Sequence, residues 1–426
     1  MSVDLNVNIA ASEFKADPFP YYRRQREVAP VHRVKLPDGK PAWLVTRYDN
    51  VVRVLTDECF SKDPFRVLSK EQLASSPRLE KLLGPLLLPL ARHMLNRDPP
   101  DHTRLRTLVT QAFSPRLVDR MRGRIQTLSD ELLDRVLRRG RMDLIADYAL
   151  PIPTTVIAEM LGVPVADRHK FHRWSSAMLA AGATRFGLLR AMPSALLFMR
   201  YIRRFIKIRR ADLRDDLISA LITAQEASER LNDDELLSMI LLLIVAGHET
   251  TVNLIGSGML ALLEHPDQLE LLRNDPGLIK PAIEELLRIT APVETATERF
   301  ASEDVELAGV KISKGDLVLA AIASANRDES RFVNPDRLDI TREPNKHLAF
   351  GLGIHFCLGA SLARLEGQMA INALLARTRD LQLTVDPSTL RWRSGLVLRG
   401  LKALPVSFTT EAPAAVRSGA ADVIRA

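Results

Sequence analysis

Cysteine is nearly absent from this sequence, which excludes several classes of protein. The 426 residues include two cysteines, Cys59 and Cys357. Two are too few for a disulfide framework or a cysteine-rich zinc site, and neither belongs to a C-x-x-C motif. So little cysteine is typical of a reducing compartment, so we expect a cytoplasmic protein. Cys59 is interpreted as a small packed apolar side chain.

Aromatic residues and long apolar runs are also scarce. Aromatics make up 5% of the chain and the net charge is only +7. The interleaved aromatic and basic side chains of single-strand binders are therefore missing, and no nucleic-acid partner is expected. Residues 1–15 lack the positive and apolar regions of a signal peptide. The most apolar runs, residues 191–199 and 236–246, are shorter than the ~20 residues that span a bilayer, so no membrane anchor is predicted.

The spacing of apolar residues predicts a mainly helical chain with a small β region. We predict helices over residues 18–27, 49–55, 117–137, 213–221, 281–288 and 358–377, and strands over residues 41–46, 305–310, 316–320 and near residue 408. Helices and strands are segregated rather than alternating, so the fold class is mainly α, of the α+β type. The length alone allows two or three domains or one large body, and we expect a flexible segment (residues 1–16) and a disordered tail (residues 411–426).

A long apolar helix is predicted to begin at Asn232. In its middle, residues 246–251 (Ala-Gly-His-Glu-Thr-Thr) place a glycine, an acid and a hydroxyl among apolar residues. Glycine costs a helix interior about 1 kcal/mol relative to alanine, and an unpaired buried carboxylate is also costly. In a structural interpretation, Glu249 reaches solvent and Thr250 bonds to the carbonyl four residues earlier. In a functional one, the two small residues admit a ligand while Glu249 and Thr250 handle protons beside it.

Glu285 and Arg288 lie three residues apart on one face of a predicted amphipathic helix. Alone, such a pair is usually a solvated surface bridge worth a few tenths of a kcal/mol. The spacing by itself therefore gives the pair no catalytic role.

Cys357 lies just before a predicted helix, in a loop that carries three glycines. Unpaired amides and the dipole at a helix amino terminus stabilise a thiolate, which predicts a lowered pKa for Cys357. Gly351 and Gly353 permit backbone conformations closed to other residues, and Gly359 lets the helix approach a flat ligand. An inert buried cysteine is the alternative, but it would not need this set of glycines.

The pattern Phe350-x-x-Gly353-x-His355-x-Cys357-x-Gly359 resembles the haem-ligating loop of the cytochrome P450 haem-thiolate monooxygenases. Three other segments resemble parts of the same family: Ala246-Gly-x-Glu-Thr250 its oxygen-activating helix, Glu285-x-x-Arg288 its structural pair, and His102-x-x-x-Arg106 its haem-propionate helix. The resemblance is to the soluble bacterial class and covers about residues 18–408. It implies one triangular, mostly helical domain over residues 17–410 with a small β region.

The resemblance implies a haem b cofactor (iron protoporphyrin IX) with the Cys357 thiolate as the axial ligand of the metal. Thr250 and Glu249 are the implied catalytic residues and deliver protons to dioxygen. The other implied cofactor-binding residues are His102, Arg106, Arg299, His355, Phe350, Gly351, Gly359, Ala246 and Gly247. The implied structural residues are Glu285, Arg288 and Arg337. The implied substrate pocket is lined by Leu242, Val245, Ala246, Val293, Thr295, Leu396 and Val397.

Apolar segments at residues 85–89 and 195–199 are interpreted as a mobile entrance for a hydrophobic small molecule. A basic cluster is interpreted either as a solvated helix face or as a site for an anionic substrate or an acidic carrier protein. Its members are Arg203, Arg204, Lys207, Arg209 and Arg210.

The implied function is the insertion of one oxygen atom of O2, by hydroxylation or epoxidation, into a polyketide, terpenoid, steroid, fatty acid or similar molecule. The haem domain accounts for nearly all residues, so electrons are expected from a separate ferredoxin and ferredoxin reductase, and the chain is expected to be a monomer. The expected docking residues are Arg104, Arg116, Lys346 and Arg364. The alternatives are a peroxide-driven peroxygenase, a haem-thiolate isomerase and a non-catalytic haem-thiolate ligand sensor. The acid and hydroxyl pair, Glu249 and Thr250, counts against all three.

Overall fold

Helices predominate in the computed structural model, which describes residues 7–69, 92–113, 115–171, 173–174, 187–228 and 231–410. In chain order they are α1 (Ser12–Ala16), α2 (Phe19–Val28), α3 (Tyr48–Thr56), α4 (Pro64–Val67), α5 (Asp101–Ala112), α6 (Pro115–Leu137), α7 (Pro151–Met160), α8 (Gly187–Ala211), α9 (Leu217–Ser228), α10 (Asp233–Leu263), α11 (Pro266–Asn274), α12 (Ile279–Thr290), α13 (Ile322–Ala325) and α14 (Ala360–Arg377). The helices predicted over residues 18–27, 49–55, 117–137, 281–288 and 358–377 are confirmed to within two residues at each end.

The long helix α10 runs through the main apolar core. Asn232 caps it as predicted: its side chain accepts from the Glu235 amide at 2.8 Å, and the Glu235 carboxylate accepts from the Asn232 amide at 3.0 Å. α10 packs against α7, α12 and α14. Of the described helices, α10 alone is long and apolar enough to cross a membrane, because its apolar run resumes after residue 251. However, 67% of its most apolar stretch is buried inside the fold, which is typical of a core helix.

Short strands form sheets separate from the helical core. They are β1 (Val31–Lys35), β2 (Pro41–Val45), β3 (Phe60–Ser61), β4 (Arg141–Asp143), β5 (Arg299–Ala301), β6 (Val305–Leu307), β7 (Val310–Ile312), β8 (Leu317–Ala320), β9 (Arg379–Leu383) and β10 (Pro405–Thr409). The largest sheet has the order β1-β2-β8-β5-β3, and a smaller one has the order β4-β10-β9. Only the β2–β8 pairing is parallel among the described strands. The segregation of strands from helices confirms the predicted α+β class.

Three predictions about local structure are corrected. The strand predicted over residues 305–310 is the hairpin β6–β7, which turns at Ala308 and Gly309, both with positive φ. Residues 213–216 precede α9 instead of belonging to it, since the Asp216 side chain accepts from the amide of Ser219 in the first turn of α9. Residues 7–16 are packed rather than flexible, because Ile9 and the whole Lys15 side chain are buried. Residues 1–6 and the tail of residues 411–426 lie outside the described residues.

Candidate active site

Cys357 lies in a loop shaped by two left-handed glycines. Gly351 and Gly353 both have φ of 68°, a conformation that side chains disfavour. A side chain at Gly353 would also meet the Leu55 carbonyl at 3.2 Å. The Cys357 amide donates to the Phe350 carbonyl at 2.9 Å, and α14 begins three residues later. The predicted place of the cysteine, just before a helix, is confirmed.

The Cys357 side chain is exposed, although protein atoms surround the residue on most sides. This combination is expected for a side chain that lines an internal cavity. Burial raises the pKa of its thiol, and the Gly359 amide, Arg106 and Arg364 offset only part of that rise. The predicted lowered pKa is therefore wrong for the chain alone, because desolvation outweighs the helix terminus. Coordination to a metal cation deprotonates a thiol outright. Thiolate character at Cys357 therefore depends on ligation.

Residues around the loop leave room beside the cysteine. A Cβ at Gly359 would meet nothing within 4 Å, so this glycine leaves space in front of α14 as predicted. The Arg364 guanidinium lies 4.4 Å from the centre of the Phe350 ring. Arg364 is itself held by Glu284, with two nitrogen–oxygen distances of 2.7 Å. Phe350 is thus fixed in place next to the loop.

Five cationic or basic side chains gather near Cys357. They are Lys62, His102, Arg106, Arg299 and His355. The rings of His102 and His355 have centroids 4.4 Å apart. Burial lowers the pKa of His355 to about 2, and the other four groups add to the shift. Burial likewise lowers the pKa of Arg299 to about 10 and that of Lys62 to about 7.

The cluster has unsatisfied donors that fit the carboxylates of a haem. Among the described residues, both ring nitrogens of His102, Nε2 of His355 and Nε of Arg299 are buried without a hydrogen-bond partner. Asp98 is the acidic residue whose charge raises the pKa of both His102 and Arg299, against the larger lowering by burial. Buried cations without counter-charges are costly, and cationic donors of this kind pair well with carboxylates. The residues present therefore fit a ligand with two propionates beside the cysteine.

One face of α10 is open although its neighbours are buried. Ala246 is exposed, and Leu242, Val245 and Thr250 are partly exposed, at the three- and four-residue spacing of a single helix face. The Thr250 hydroxyl donates to the Ala246 carbonyl at 3.1 Å. The structural interpretation of Thr250 is therefore correct as to its bond. The bond does not bury the hydroxyl, which stays on the open face.

Glu249 does not reach solvent, contrary to the structural interpretation. Its side chain is buried, and the Arg393 guanidinium donates to Oε1 at 3.2 Å. A cavity of about 30 Å³ lies between them, lined also by Leu150, His248 and Val252. Burial raises the pKa of Glu249, and Arg393 offsets part of the rise. This carboxyl therefore keeps a proton to a higher pH than an exposed one does.

Gly247 lies next to Ala246 on α10 and contacts a neighbouring helix. A Cβ built there would contact Ile157 of α7 at 3.5 Å, an ordinary packing distance. A side chain at this position would therefore face α7, while Gly247 itself is partly exposed like Leu242 and Val245; its predicted place beside the cofactor stays a prediction. Periodicity could not separate these adjacent positions, because which helix packs on which side is a tertiary property.

The Glu285–Arg288 pair is fully buried, with nitrogen–oxygen distances of 2.7 and 2.8 Å. Arg342 also donates to both Glu285 oxygens at 3.1 Å. The predicted third member, Arg337, contributes only its backbone carbonyl, which accepts from Arg288 at 3.2 Å. Its own side chain is exposed. Arg342 therefore takes the role assigned to Arg337, and the interpretation as a surface bridge is wrong.

The predicted pocket segments lie side by side. The Thr295 hydroxyl donates to the Leu396 carbonyl at 2.8 Å, and the Glu294 amide donates to the Val397 carbonyl at 2.8 Å. Val293, Leu396 and Val397 are partly exposed, whereas Thr295 is fully buried. These segments can therefore act as one wall.

The predicted entrance is only partly described. Residues 85–89 lie outside the described residues. On α8, Phe198 and Met199 are core residues, whereas Leu197 is exposed, more so than the adjacent Leu196. In the basic cluster, Arg209 is buried against Asp216 at 2.6 Å and does not belong to an exposed face.

Sequence reasoning missed several polar residues of the site, of which Lys62 and Glu366 are buried and Arg342 and Arg393 are partly exposed. Lys62 donates to the Thr297 hydroxyl at 2.6 Å, which holds it at the edge of the cationic cluster. Each of these residues stands alone in the chain, without a motif around it, so local patterns carry no signal for them.

Comparisons with known proteins agree with this geometry. The Cytochrome P450 family model matches residues 25–279 and 273–399. The chain is 44% identical over 401 residues to the polyketide biosynthesis cytochrome P450 PksS of Bacillus subtilis, covering 93% of this chain and 97% of the relative. It is 44% identical over 418 residues to the cytochrome P450 monooxygenase PikC of Streptomyces venezuelae, covering 97% of each. The crystal structure of myxobacterial CYP267B1 in complex with myristic acid matches with a TM-score of 0.88 at 45% identity, covering 94% of this chain and 98% of that one.

The family match spans most of the chain, and the relatives are matched over nearly their whole length. The expected fold and the expected haem-thiolate cofactor are confirmed by these matches. The chain belongs to the cytochrome P450 family, whose members are haem-thiolate monooxygenases.

Proposed function

We propose that this enzyme inserts one oxygen atom of O2 into an apolar substrate, with Thr250 and Glu249 delivering the protons that the reaction consumes. When bound, the haem supplies the binding and reductive activation of O2. The open face of α10 carries the proposal, because it leaves the Thr250 hydroxyl uncovered in an otherwise buried helix. A hydroxyl that donates to the Ala246 carbonyl can still accept a hydrogen bond from a second group that carries a proton.

Glu249 is suited to supply that proton. Burial raises its pKa, so the carboxyl keeps its proton to a higher pH than an exposed carboxyl does. The cavity shared with Arg393 has room for about two waters, which could exchange protons with solvent. Because Arg393 now binds Glu249, proton delivery requires the carboxyl to leave Arg393 and turn towards Thr250. The hydrogen bond from Arg393 would thereby hold the relay closed between turnovers.

The cationic cluster would hold the haem propionates. His102, Arg106, Arg299 and His355 are the proposed donors, and Lys62 adds positive charge behind them. Cys357 would ligate the iron. Phe350 and Gly359 would accommodate the ring system on the side of the cysteine loop.

The proposed substrate is a polyketide or a fatty acid. The open positions Leu242, Val245, Val293, Leu396 and Val397 are all apolar, which favours a hydrophobic molecule. The name of PksS refers to polyketide biosynthesis, and CYP267B1 was crystallised with myristic acid. Linear polyketides and fatty acids are both long, hydrocarbon-rich chains, so one apolar wall suits either class.

Electrons would come from a separate ferredoxin and its reductase, and the proposed setting is a cytoplasmic monomer. Two of the four predicted docking residues are already paired: Arg104 with Glu235 at 2.6 Å, and Arg364 with Glu284 at 2.7 Å. Arg116 and Lys346 are exposed. We therefore assign the steering of an acidic partner to Arg116 and Lys346.

The relay is tested with Thr250→Ala, measured as product formed and hydrogen peroxide released per NADPH consumed, with myristic acid as the probe substrate. We expect a several-fold fall in product and a matching rise in peroxide, because an unassisted proton transfer loses roughly 10²–10⁴ in rate. Thr223→Ala is the matched control, since its hydroxyl also bonds to the carbonyl four residues earlier, at 3.0 Å. Unchanged coupling in Thr250→Ala would show that the relay is wrong. Full turnover of wild type with hydrogen peroxide alone would favour the peroxygenase.

A further inference from the structure

Lys15 and Glu294 form an ion pair that has no exposed surface. Nζ of Lys15 lies 3.0 Å from Oε2 of Glu294, and both side chains are completely buried. The Tyr22 hydroxyl donates to the other carboxylate oxygen at 2.7 Å. We call Lys15, Tyr22 and Glu294 the amino-terminal triad. It joins α1 and α2 to a segment that lies far along the chain, between α12 and β5.

Backbone hydrogen bonds extend this junction to residues 395–399. The Gly395 amide donates to the Ala10 carbonyl at 2.9 Å, and Nε of Arg399 donates to the Lys15 carbonyl at 2.8 Å. Nζ of Lys15 also lies 3.4 Å from the Leu396 carbonyl. Lys15 therefore contacts both segments of the proposed pocket wall at once.

The two wall segments are bonded to each other as well. Glu294 donates its amide to the Val397 carbonyl, and Thr295 donates its hydroxyl to the Leu396 carbonyl, each at 2.8 Å. The side chain of Glu294 contacts Lys15 and Tyr22, the other members of the triad. Its chain neighbours Val293 and Thr295 are proposed pocket residues. A shift of Glu294 would therefore move both neighbours.

Stability alone does not explain a buried pair of this kind. Burying two charges costs several kcal/mol per ion, and an apolar pair of similar volume is often at least as stable. What this ion pair adds is a defined geometry, because its charge attraction on one carboxylate oxygen and the Tyr22 hydrogen bond on the other fix distances that apolar contacts leave adjustable. The position of this pair, between three segments of the chain, makes that geometry matter for the pocket.

We propose that Lys15 and Glu294 are positioning residues for the substrate: their ion pair sets the separation of residues 292–297 and 395–399, and through it the shape of the pocket. The inference rests on the proposed function, in which Val293, Thr295, Leu396 and Val397 line that pocket. It assigns a role in substrate recognition to the first helix, to which Lys15 belongs.

The test is the double variant Lys15→Met/Glu294→Gln, which removes both charges together. The probes are imidazole and 4-phenylimidazole, titrated by absorption spectroscopy. Both bind iron through nitrogen, but only the phenyl ring of the second reaches the walls. We expect the ratio of the two dissociation constants to change at least about four-fold, the affinity equivalent of one buried methylene group. An unchanged ratio would overturn the proposal.

A matched pair of variants separates positioning from general loosening. Tyr22→Phe removes a triad hydroxyl, and Tyr148→Phe removes an equally buried hydroxyl that donates to the Ala370 carbonyl, also at 2.7 Å. We expect Tyr22→Phe to shift the ratio about two-fold and Tyr148→Phe to leave it unchanged, although both lose one hydrogen bond. Equal shifts would overturn the proposal. Tyr22→Phe keeps both charges, so the test remains decisive if the double variant does not fold.

Two further measurements distinguish this inference from the proposed function. The carbon monoxide difference spectrum of the reduced protein reports the thiolate ligand. Absence of the thiolate-type Soret band from the wild-type spectrum would contradict the proposed function and not the role of the triad. Hydrogen exchange of backbone amides reports on the triad and does not depend on ligands bound to the iron. The amides of Glu294 and Gly395 should lose protection in the double variant and keep it in Tyr148→Phe. Unchanged protection in the double variant would overturn the triad's role.

Discussion

Glu366 is a fully buried carboxyl on α14, close to Thr251 of α10. Neither oxygen has a hydrogen-bond partner of good geometry among the described residues. Burial raises its pKa to about 8, and the Thr251 hydroxyl offsets only part of that rise. At neutral pH the folded protein therefore holds a proton here that the unfolded chain releases.

The contribution of Glu366 to the stability of the folded protein should fall as the pH rises from about 4.5 to about 8, because Glu366 has a higher pKa in the folded state than in the unfolded state. Each pH unit in that window costs about 1.4 kcal/mol. Glu366→Gln removes this dependence, so it should raise the thermal midpoint of the haem-loaded protein at pH 8 and change it little at pH 4.5. Glu306→Gln, on an exposed strand position, is the control. Parallel pH profiles for wild type and Glu366→Gln would contradict the prediction.

The functional residues could be predicted from the sequence where they belong to a motif. They could not be predicted where a single side chain acts without a motif around it. Cys357, with its glycines and His355, stands in a motif, so its place could be read from the sequence. Glu366 and Arg393 stand in no motif. The importance of Glu366 comes from burial and that of Arg393 from its distant partner Glu249, and local spacing encodes neither.

At the scale of elements, α12 is tied to the loop before Cys357 through Glu285. This carboxylate accepts from Arg288, Arg342, Asn345 and the Asp339 amide, all within 3.1 Å. One buried acid thus connects a helix to the long loop that leads to the cysteine. The loop has few strands or helices of its own over residues 326–352, so these bonds replace the missing secondary structure.

Arg342→Ala should destabilise the protein by about 2 kcal/mol, because it removes two charged hydrogen bonds from a fully buried carboxylate. Arg337→Ala makes the same chemical change at an exposed side chain and should cost under about 0.5 kcal/mol. Thermal unfolding and haem content of both variants provide the measurement. Equal losses would mean that Arg342 contributes no more than a surface arginine.

The predicted helices were confirmed where apolar periodicity and a terminus signal coincided. The capping box at Asn232 and the spacing in α6 are examples. Failures occurred where partners outside the element decide its ends. Residues 213–216 have apolar spacing, but the Asp216 side chain caps α9 and binds Arg209. Residues 7–16 lack strong local signals and become ordered because Lys15 and Ile9 are buried by other segments.

At the scale of the whole molecule, the net charge of +7 favours an acidic redox partner. The rate constant for reduction by an acidic ferredoxin should fall several-fold when ionic strength rises from 0.01 to 0.15 M, as the Debye length shrinks from about 30 to about 8 Å. Arg116→Glu should slow reduction at low salt. Arg138→Glu, about 33 Å away along α6 and its end, makes the same charge change and should not. A rate independent of salt would contradict electrostatic steering.

The sequence by itself determined the fold class, the cysteine ligand and the helices that carry the acid and hydroxyl, because each depends on periodicity or on residues close together in the chain. The tertiary structure decided which of those residues are open, buried or paired. It placed Arg342 where Arg337 was expected, turned Gly247 towards α7, bound Glu249 to Arg393, and buried Lys15 beneath the pocket wall. These outcomes depend on desolvation and on contacts between distant segments, which exist only once the chain is folded.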